Sequence, residues 1–369
     1  MQHIGVVGLG IMGAGIVEVF AKNGHNVVGI AESDAAVELG QKNLAASLNR
    51  AVTKNKLNQS QSDEITARVM WGTDFGLLSD CDLVVEAAPE KMELKRSIFE
   101  KLDAATKPTA ILATNTSSLS VTQIAEVTVR PQLVVGMHFF NPAPVQKFVE
   151  VIRAKNTSPD VVQAVTQLAQ ALGKHAAVID DQPGFIVNRL LLAYINHAAK
   201  LVDSGYATAS QIDFGMREYA KFPMGPLELA DLIGLDTCVE VMKTVHAYTH
   251  RHLDDPAEGM VALVAAGNLG RKSGQGYYDY STAHEVPVSS NSVLERESYG
   301  KLITAYFGDA IAMYESGYAS TQDIDAGMTL GCGIPHGPFE EIERVGIEQV
   351  KNNLRILADR TGNSEFLPR

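Results

Sequence analysis

The chain of 369 residues has little cysteine, a single tryptophan and no excess of positive charge. Its three cysteines, Cys81, Cys238 and Cys332, are odd in number and scattered. They form no CxxC and no metal-ligand spacing, which excludes a disulfide framework and fits a reducing cytoplasm. The ten His are dispersed too, without HExxH, so no metal is expected. With 31 Lys+Arg against 43 Asp+Glu the net charge is −12. That argues against nucleic acid or an anionic membrane as partner, because such partners select basic surfaces. No apolar run reaches the roughly 18 residues of a membrane-crossing helix. The N-terminus, MQHIGVVGLG, has no basic stretch ahead of an apolar one, so no signal peptide is expected. What remains is ordinary globular material, 46% hydrophobic and 20% charged, long enough for two or three domains and a core that needs no cross-links.

Residues 1–40 read as strand, turn, helix and second strand. His3–Val7 is apolar, Gly8-Leu9-Gly10-Ile11-Met12-Gly13 makes the turn, a helix follows over 14–22, and 26–31 is again a strand. Residues 36–70 read as helical and polar on one side, with Arg50, Lys54 and Lys56 close together. The runs 82–88, 110–113 and 133–136 are nearly continuously apolar, as strands buried on both faces should be. Strands alternating with helices imply a parallel sheet covered on both faces. Near Asp180-Asp181-Gln182-Pro183-Gly184 the pattern becomes helical, which places a domain boundary there.

The later part of the chain repeats itself. Residues 204–234 match 316–346 at a constant offset of 112, with thirteen of 31 positions identical. Ser204-Gly205-Tyr206-Ala207 recurs as Ser316-Gly317-Tyr318-Ala319, Ile212-Asp213 as Ile324-Asp325, and Gly225-Pro226 as Gly337-Pro338. Thr208 with Gln211 and Ser320 with Asp323 both resemble capping boxes. The expected architecture is an α/β, Rossmann-type N-terminal domain (1–182) and an all-α C-terminal region built from two repeats, 183–280 and a shorter copy over 293–369, joined by a polar linker near 281–292.

Two constellations carry chemistry. In GxGxxG, Gly8 permits the tight turn, Gly10 lets the backbone approach a pyrophosphate and Gly13 lets helix and strand pack closely. The helix N-terminus at Ile11 and Met12 presents free N–H groups to phosphate. The acid expected at the end of the second strand is replaced by Ala31, with Glu32 one residue late. Glu32 still suits ribose hydroxyls, and no Arg stands nearby for a 2′-phosphate, so NAD is favoured and NADP is the second choice. The other constellation is Gly136-Met137-His138-Phe139-Phe140-Asn141-Pro142-Ala143-Pro144. It follows a parallel strand, where ligands of such sheets bind. Residues 147–152 then read as a strand holding Glu150 among apolar neighbours. A carboxylate there needs a partner, and His138 is the candidate, giving a general base with its orienting acid. The alternative from pattern alone is a strand-end His and an unrelated edge-strand Glu.

GLGIMGAG, NTSSL (115–119), HFFNPAP (138–144), VEV (149–151), PGFIVNRLL (183–191) and GRKSGQGYYDY (270–280) together resemble the 3-hydroxyacyl-CoA dehydrogenase family, of the 3-hydroxybutyryl-CoA dehydrogenase type. The resemblance implies NAD-dependent interconversion of (S)-3-hydroxyacyl-CoA and 3-oxoacyl-CoA. It implies that His138 takes the 3-hydroxyl proton, that Glu150 orients it, and that Ser117 and Asn188 hydrogen-bond the substrate near the reacting carbon. It places Asn141 at the nicotinamide and the His loop, and Glu90, Lys95, Asn115, Ser117 and Lys272 at the cofactor. Ser47 and Lys54 match positions that hold the coenzyme A nucleotide, and Arg50 and Lys56 lie beside them. The chain departs from the family at Ala31 and in its second helical copy, where Gly300 stands for Asn188 and no second GRKSG follows. Short members pair two chains through the helical domain, so the second copy is expected to supply that mate internally, as a pseudo-dimer, in a monomer or a homodimer.

Three other readings compete. The β-hydroxyacid dehydrogenases share the opening glycines but use a helical Lys that PGFIVNRLLLAYINHA lacks. A non-catalytic dinucleotide-binding protein would not need the His138–Glu150 pair. A family member acting on a carrier-protein-tethered acyl group would carry the same motifs, with Ser47 and Lys54 weighing against it.

Overall fold

A computed structural model describes residues 1–281 and 292–367. The chain divides into two compact units, Met1–Phe185 and Ile186–Arg369. The polar linker near 281–292 falls almost wholly outside the described residues.

The first unit is an eight-stranded sheet. Its strands are β1 (His3–Val7), β2 (Asn26–Ile30), β3 (Val69–Gly72), β4 (Leu83–Glu86), β5 (Ile111–Thr114), β6 (Val134–Phe139), β7 (Phe148–Arg153) and β8 (His175–Asp180), in the order β3-β2-β1-β4-β5-β6-β7-β8. Every pair is parallel except β6 with β7. Helices α1 (Ile11–Lys22), α2 (Asp34–Thr53), α3 (Gln59–Ala67), α4 (Met92–Ala105), α5 (Val121–Ala125) and α6 (Pro159–Ala171) supply the connections. All residues of β4, β5 and β6 are buried, which is why these strands read as unbroken apolar runs.

Two strands differ from the sequence reading. The helical stretch expected over 36–70 ends at Ala67, and Val69–Gly72 is an edge strand. It has only four residues and an exposed Met70, too short for alternation to register. The second, β8, pairs with β7. The strand holding Glu150 is therefore interior, not an edge.

The second unit is helical. Its first copy comprises α7 (Val187–Asp203), α8 (Ala209–Tyr219), α9 (Pro226–Ile233), α10 (Leu235–Thr249) and α11 (Glu258–Ala265). The second comprises α12 (Ser292–Glu315), α13 (Thr321–Ala326) with a π turn over Gly327–Gly331, α14 (Pro338–Val345) and α15 (Ile347–Thr361). The offset of 112 carries α9 onto α14 and α10 onto α15 residue for residue.

The repeated residues have a common physical job. Asp213 accepts from the amides of Leu227 and Glu228 at 2.9 and 2.8 Å, and Asp325 from those of Phe339 and Glu340 at 2.7 and 3.0 Å. Each Asp thus caps the first turn of the following helix. A Cβ on Gly225 or Gly337 would lie 2.2 Å from the Asp side chain. Tyr278 donates its hydroxyl to Asp213 at 2.8 Å, and burial pushes this carboxyl up to about 7. Gly225→Ala should therefore cost about 1–3 kcal/mol of stability or more in chemical denaturation. Gly300→Ala, where a new Cβ meets nothing within 4 Å, should leave stability unchanged or raise it by up to about 1 kcal/mol.

Residues separated by the repeat offset also meet. His197 lies 2.8 Å from Asp309, the Tyr194 and Tyr306 rings are 5.9 Å apart, and the Leu253 amide donates to Glu365 at 2.8 Å. Helix α12 packs against both α7 and α8. A Cβ on Gly215 would stand 2.4 Å from the Glu295 carbonyl oxygen.

Candidate active site

The glycine turn and the His138–Glu150 pair both lie at the carboxyl edge of the parallel strands. The turn after β1 is built on glycine for steric reasons. Gly8 has φ +91°, and a Cβ there would sit 2.7 Å from the Ala87 and Ala88 backbone. A Cβ on Gly13 would sit 1.7 Å from the Gly8 carbonyl oxygen. A Cβ on Gly10 would meet nothing within 4 Å, so the backbone at the start of α1 borders open space. Gly10 caps α1 without a side chain, which leaves the first-turn N–H groups of Ile11, Met12 and Gly13 for an anion. This cradle fits a dinucleotide pyrophosphate. At the end of β2, Ala31 is buried, Glu32 is exposed, and Ser33 caps α2.

The antiparallel pairing of β6 and β7 sets His138 directly opposite Glu150. Side chains so paired project from the same face of a sheet. His138 Nδ1 and Glu150 Oε2 are 2.6 Å apart, with His138 6% and Glu150 0% exposed. A carboxylate only accepts, so Nδ1–H donates to Glu150 and Nε2 is the ring nitrogen not engaged in this bond. The rings of Phe140 and Phe185 stand 4.5 and 5.8 Å from the imidazole and restrict its rotation. A held imidazole with a buried acid behind one nitrogen is an arrangement that can act as a general base.

The loops around it are tied by polar groups. The Asn115 side-chain Oδ1 accepts from the Phe139 amide at 2.8 Å, anchoring the strand end beside His138. Glu90 accepts from Thr116 Oγ1 at 2.6 Å, from the Ser117 amide and hydroxyl at 2.8 and 3.2 Å, and from the Ser118 amide at 3.0 Å. Burial pushes its carboxyl up, but Lys95 and these donors outweigh burial and hold it below the ordinary value. Asn141 is exposed. Asn188 is the second residue of α7 in the other unit.

Glu86 and Lys174 had no signal in the sequence, and Lys95 had one only through the family resemblance. Glu86, at the end of β4, is fully buried and binds Lys95 Nζ at 2.8 and 3.0 Å, Thr114 Oγ1 at 2.7 Å and the Ala88 amide at 2.6 Å. Lys95, expected at the cofactor, is itself fully buried, and its ammonium reaches Glu86, the Ala88 carbonyl and Glu90. Lys174 donates to the carbonyls of Ala143 and Gln146 at 2.8 and 2.7 Å and so clamps the loop after His138. Burial lowers its ammonium to about 8. Lys272, also expected at the cofactor, is paired with Asp236.

Ser47 lies beside Glu18 of α1, whose carboxyl is buried and pushed up by that burial. Arg50, Lys54 and Lys56 are exposed at the C-terminal end of α2. Among the described residues none of the three has a carboxylate within ion-pair distance. The described residues hold no group of His, Cys, Asp and Glu arranged for a metal ion and no helix long and apolar enough to cross a membrane.

Comparison with known proteins agrees with this geometry. The family model of the 3-hydroxyacyl-CoA dehydrogenase NAD binding domain matches residues 3–182, and that of the C-terminal domain matches 184–280 and 300–369. A 3-hydroxybutyryl-CoA dehydrogenase of Bradyrhizobium diazoefficiens is 41% identical over 288 residues, covering 78% of this chain and 98% of the relative. The crystal structure of a 3-hydroxybutyryl-CoA dehydrogenase from Escherichia coli K12 aligns with a TM-score of 0.91 at 30% identity, over 100% of this chain and 96% of that one. That of an (S)-3-hydroxybutyryl-CoA dehydrogenase from Ralstonia eutropha aligns with a TM-score of 0.75 at 42% identity, over 76% and 100%. The chain belongs to the 3-hydroxyacyl-CoA dehydrogenase family.

Proposed function

We propose that the protein interconverts (S)-3-hydroxyacyl-CoA and 3-oxoacyl-CoA with NAD, acting on short acyl groups such as 3-hydroxybutyryl and acetoacetyl. The observation that carries this is the buried 2.6 Å contact of His138 with Glu150 at the carboxyl end of β6, in the same unit as the glycine turn. NAD, when bound, supplies the hydride acceptor. Gly8, Gly10 and Gly13 with the amides of Ile11 and Met12 would hold its pyrophosphate, and Glu32 would serve its ribose hydroxyls. In the oxidative direction His138 Nε2 takes the 3-hydroxyl proton as the C3–H hydride departs and the C3 carbonyl forms. Glu150 stabilises the imidazolium that results. Ser117 and Asn188 orient the hydroxyl, while Asn115 and Asn141 keep the loops in place. Glu90, Lys95 and Lys272 act on the cofactor through the loops they tie.

Coenzyme A is assigned to Ser47 and Lys54 with Arg50 and Lys56, a local basic patch on an acidic protein. Among the described residues the three cations at the end of α2 have no carboxylate within ion-pair distance, which favours a polyanionic nucleotide over a carrier-protein arm alone. Spectrophotometric reduction of acetoacetyl-CoA, run in parallel with NADH and NADPH, tests class and cofactor together. Turnover with NADH at micromolar substrate supports the proposal. Inactivity with both nucleotides overturns it. Lys174→Met should lower kcat by up to about 10²-fold with folding kept, because the loop beside His138 loses its clamp.

We also infer that the two helical copies pair as the mates of a dimer would. Contacts between residues 112 apart support this, because an isologous pairing sets a residue near the axis against its own counterpart. With that mate supplied internally, the chain is expected to be a monomer. Sedimentation at low concentration should give the chain mass of 39.7 kDa, and twice that mass would sink the inference.

A further inference from the structure

The contacts at the centre of the helical unit are not symmetric in charge. His197 of α7 and Asp309 of α12 are counterparts under the offset of 112, and His197 Nε2 donates to Asp309 Oδ2 at 2.8 Å. Both are buried, 6% and 8% exposed. Arg251 adds a second donor to the other oxygen of Asp309 at 3.0 Å and keeps Asp254 at 3.7 Å. The counterpart of Arg251 is Asn363, since the turns His252–Asp254 and Ser364–Phe366 are also 112 apart. The Phe366 ring covers His197 at 5.6 Å. The first copy therefore brings two donors, His197 and Arg251, the latter with its own Asp254, and the second copy brings the carboxylate that both donors share.

This asymmetry decides which pairings the same surface can make. If the first copy paired with the first copy of a second chain, His197 would face His197. Each Arg251 would then point at an imidazole where it now meets Asp309. If two second copies paired, Asp309 would face Asp309 with no cation from position 363. Buried charges without opposite partners are strongly unfavourable, and rejection of wrong partners by like charge is a recognised source of specificity. Only the mixed pairing of one copy with the other gives the buried Asp309 carboxylate two donors, His197 and Arg251.

We propose that the buried pair His197 and Asp309, with the half-buried Arg251, is a pairing selector, which joins the two helical copies within one chain and rejects a second chain at the same surface. It rests on the reading that the copies pair as dimer mates. The partner it fits is the chain's own second copy.

The test uses the full-length protein and five variants. H197D and D309H each place like groups at the centre, H197D/D309H exchanges them, and H197Q and D309N are neutral controls. Thermal unfolding and sedimentation over a hundredfold concentration range are the readouts. D309H and H197D are expected to lower Tm by about 10 °C, more than the neutral controls. They are also expected to show mass rising with concentration, because discrimination against a second chain is lost. The exchange variant should regain about 5 °C over either single variant and return to the chain mass. Arg251 then faces a His, so recovery is partial. If the single variants are recovered only as aggregates, a soluble exchange variant of chain mass still supports the selector. An exchange variant no more stable than the better single variant, or single variants indistinguishable from the neutral controls in Tm and mass, overturns it. Wild-type protein at twice the chain mass overturns the pairing reading instead, whatever the coupling between positions 197 and 309.

Discussion

His138→Gln should lower kcat by about 10³-fold, within the range typical of general-base catalysis, while NAD affinity is kept. Gln is close to His in size and can still hydrogen-bond Glu150, so the strand pairing at this position survives. What is lost is the nitrogen lone pair that takes the hydroxyl proton. The cofactor cradle belongs to β1 and α1, while position 138 belongs to β6, separated from β1 in the sheet by β4 and β5. Glu150→Gln should also act mainly on kcat. Its amide can accept from Nδ1 but carries no charge to stabilise the imidazolium. Because Glu150 is fully buried and interior to the sheet, its folding must be checked alongside. Steady-state kinetics with acetoacetyl-CoA and fluorescence titration of NADH separate the two effects. Near-wild-type turnover in His138→Gln would remove His138 from the chemistry.

The largest expected effect on stability is at Lys95. Lys95→Met leaves the Glu86 carboxylate buried with Thr114 and the Ala88 amide but without its cation. Breaking a buried pair on one side costs about 3–5 kcal/mol. The double variant Glu86→Gln/Lys95→Met should recover much of that, because neither charge is then buried. Urea unfolding measures both. Lys95 also holds the Ala88 carbonyl and Glu90, so weaker NAD binding should accompany the loss of stability. If Lys95 served the cofactor alone, Lys95→Met would keep the wild-type urea midpoint and lose affinity only.

These two predictions rest on residues of different legibility. His138 and Glu150 stand twelve apart, with a proline-bearing turn between two apolar stretches. That is enough to suggest a hairpin-like pairing, and the register in the structure sets them face to face. The glycine turn was equally open to reading, because each glycine answers a local demand of backbone sterics. Glu86 appears in the sequence only as the last polar letter of an apolar run. Its partner Lys95 looks like any helix lysine. Nothing in either residue's neighbourhood announces that both are removed from water.

By itself the sequence determined the alternation of strands and helices in the first unit, the cradle for a dinucleotide, the candidate base and its acid, and the duplication of the helical unit. All of these are written in short-range spacing or in self-similarity. The tertiary structure alone decided that 69–72 and 175–180 are strands, that Lys95 neutralises Glu86, that Lys174 clamps the loop after His138, and that His197 meets Asp309. Each of these depends on polar groups brought together from distant positions. A polar residue that finds a partner only on folding carries no periodicity and no motif. The scarcity of cysteine and of positive charge has the same meaning on both levels. With no cross-links expected and a net charge of −12, this chain uses its few buried cations at specific points, and their placement is a property of the fold.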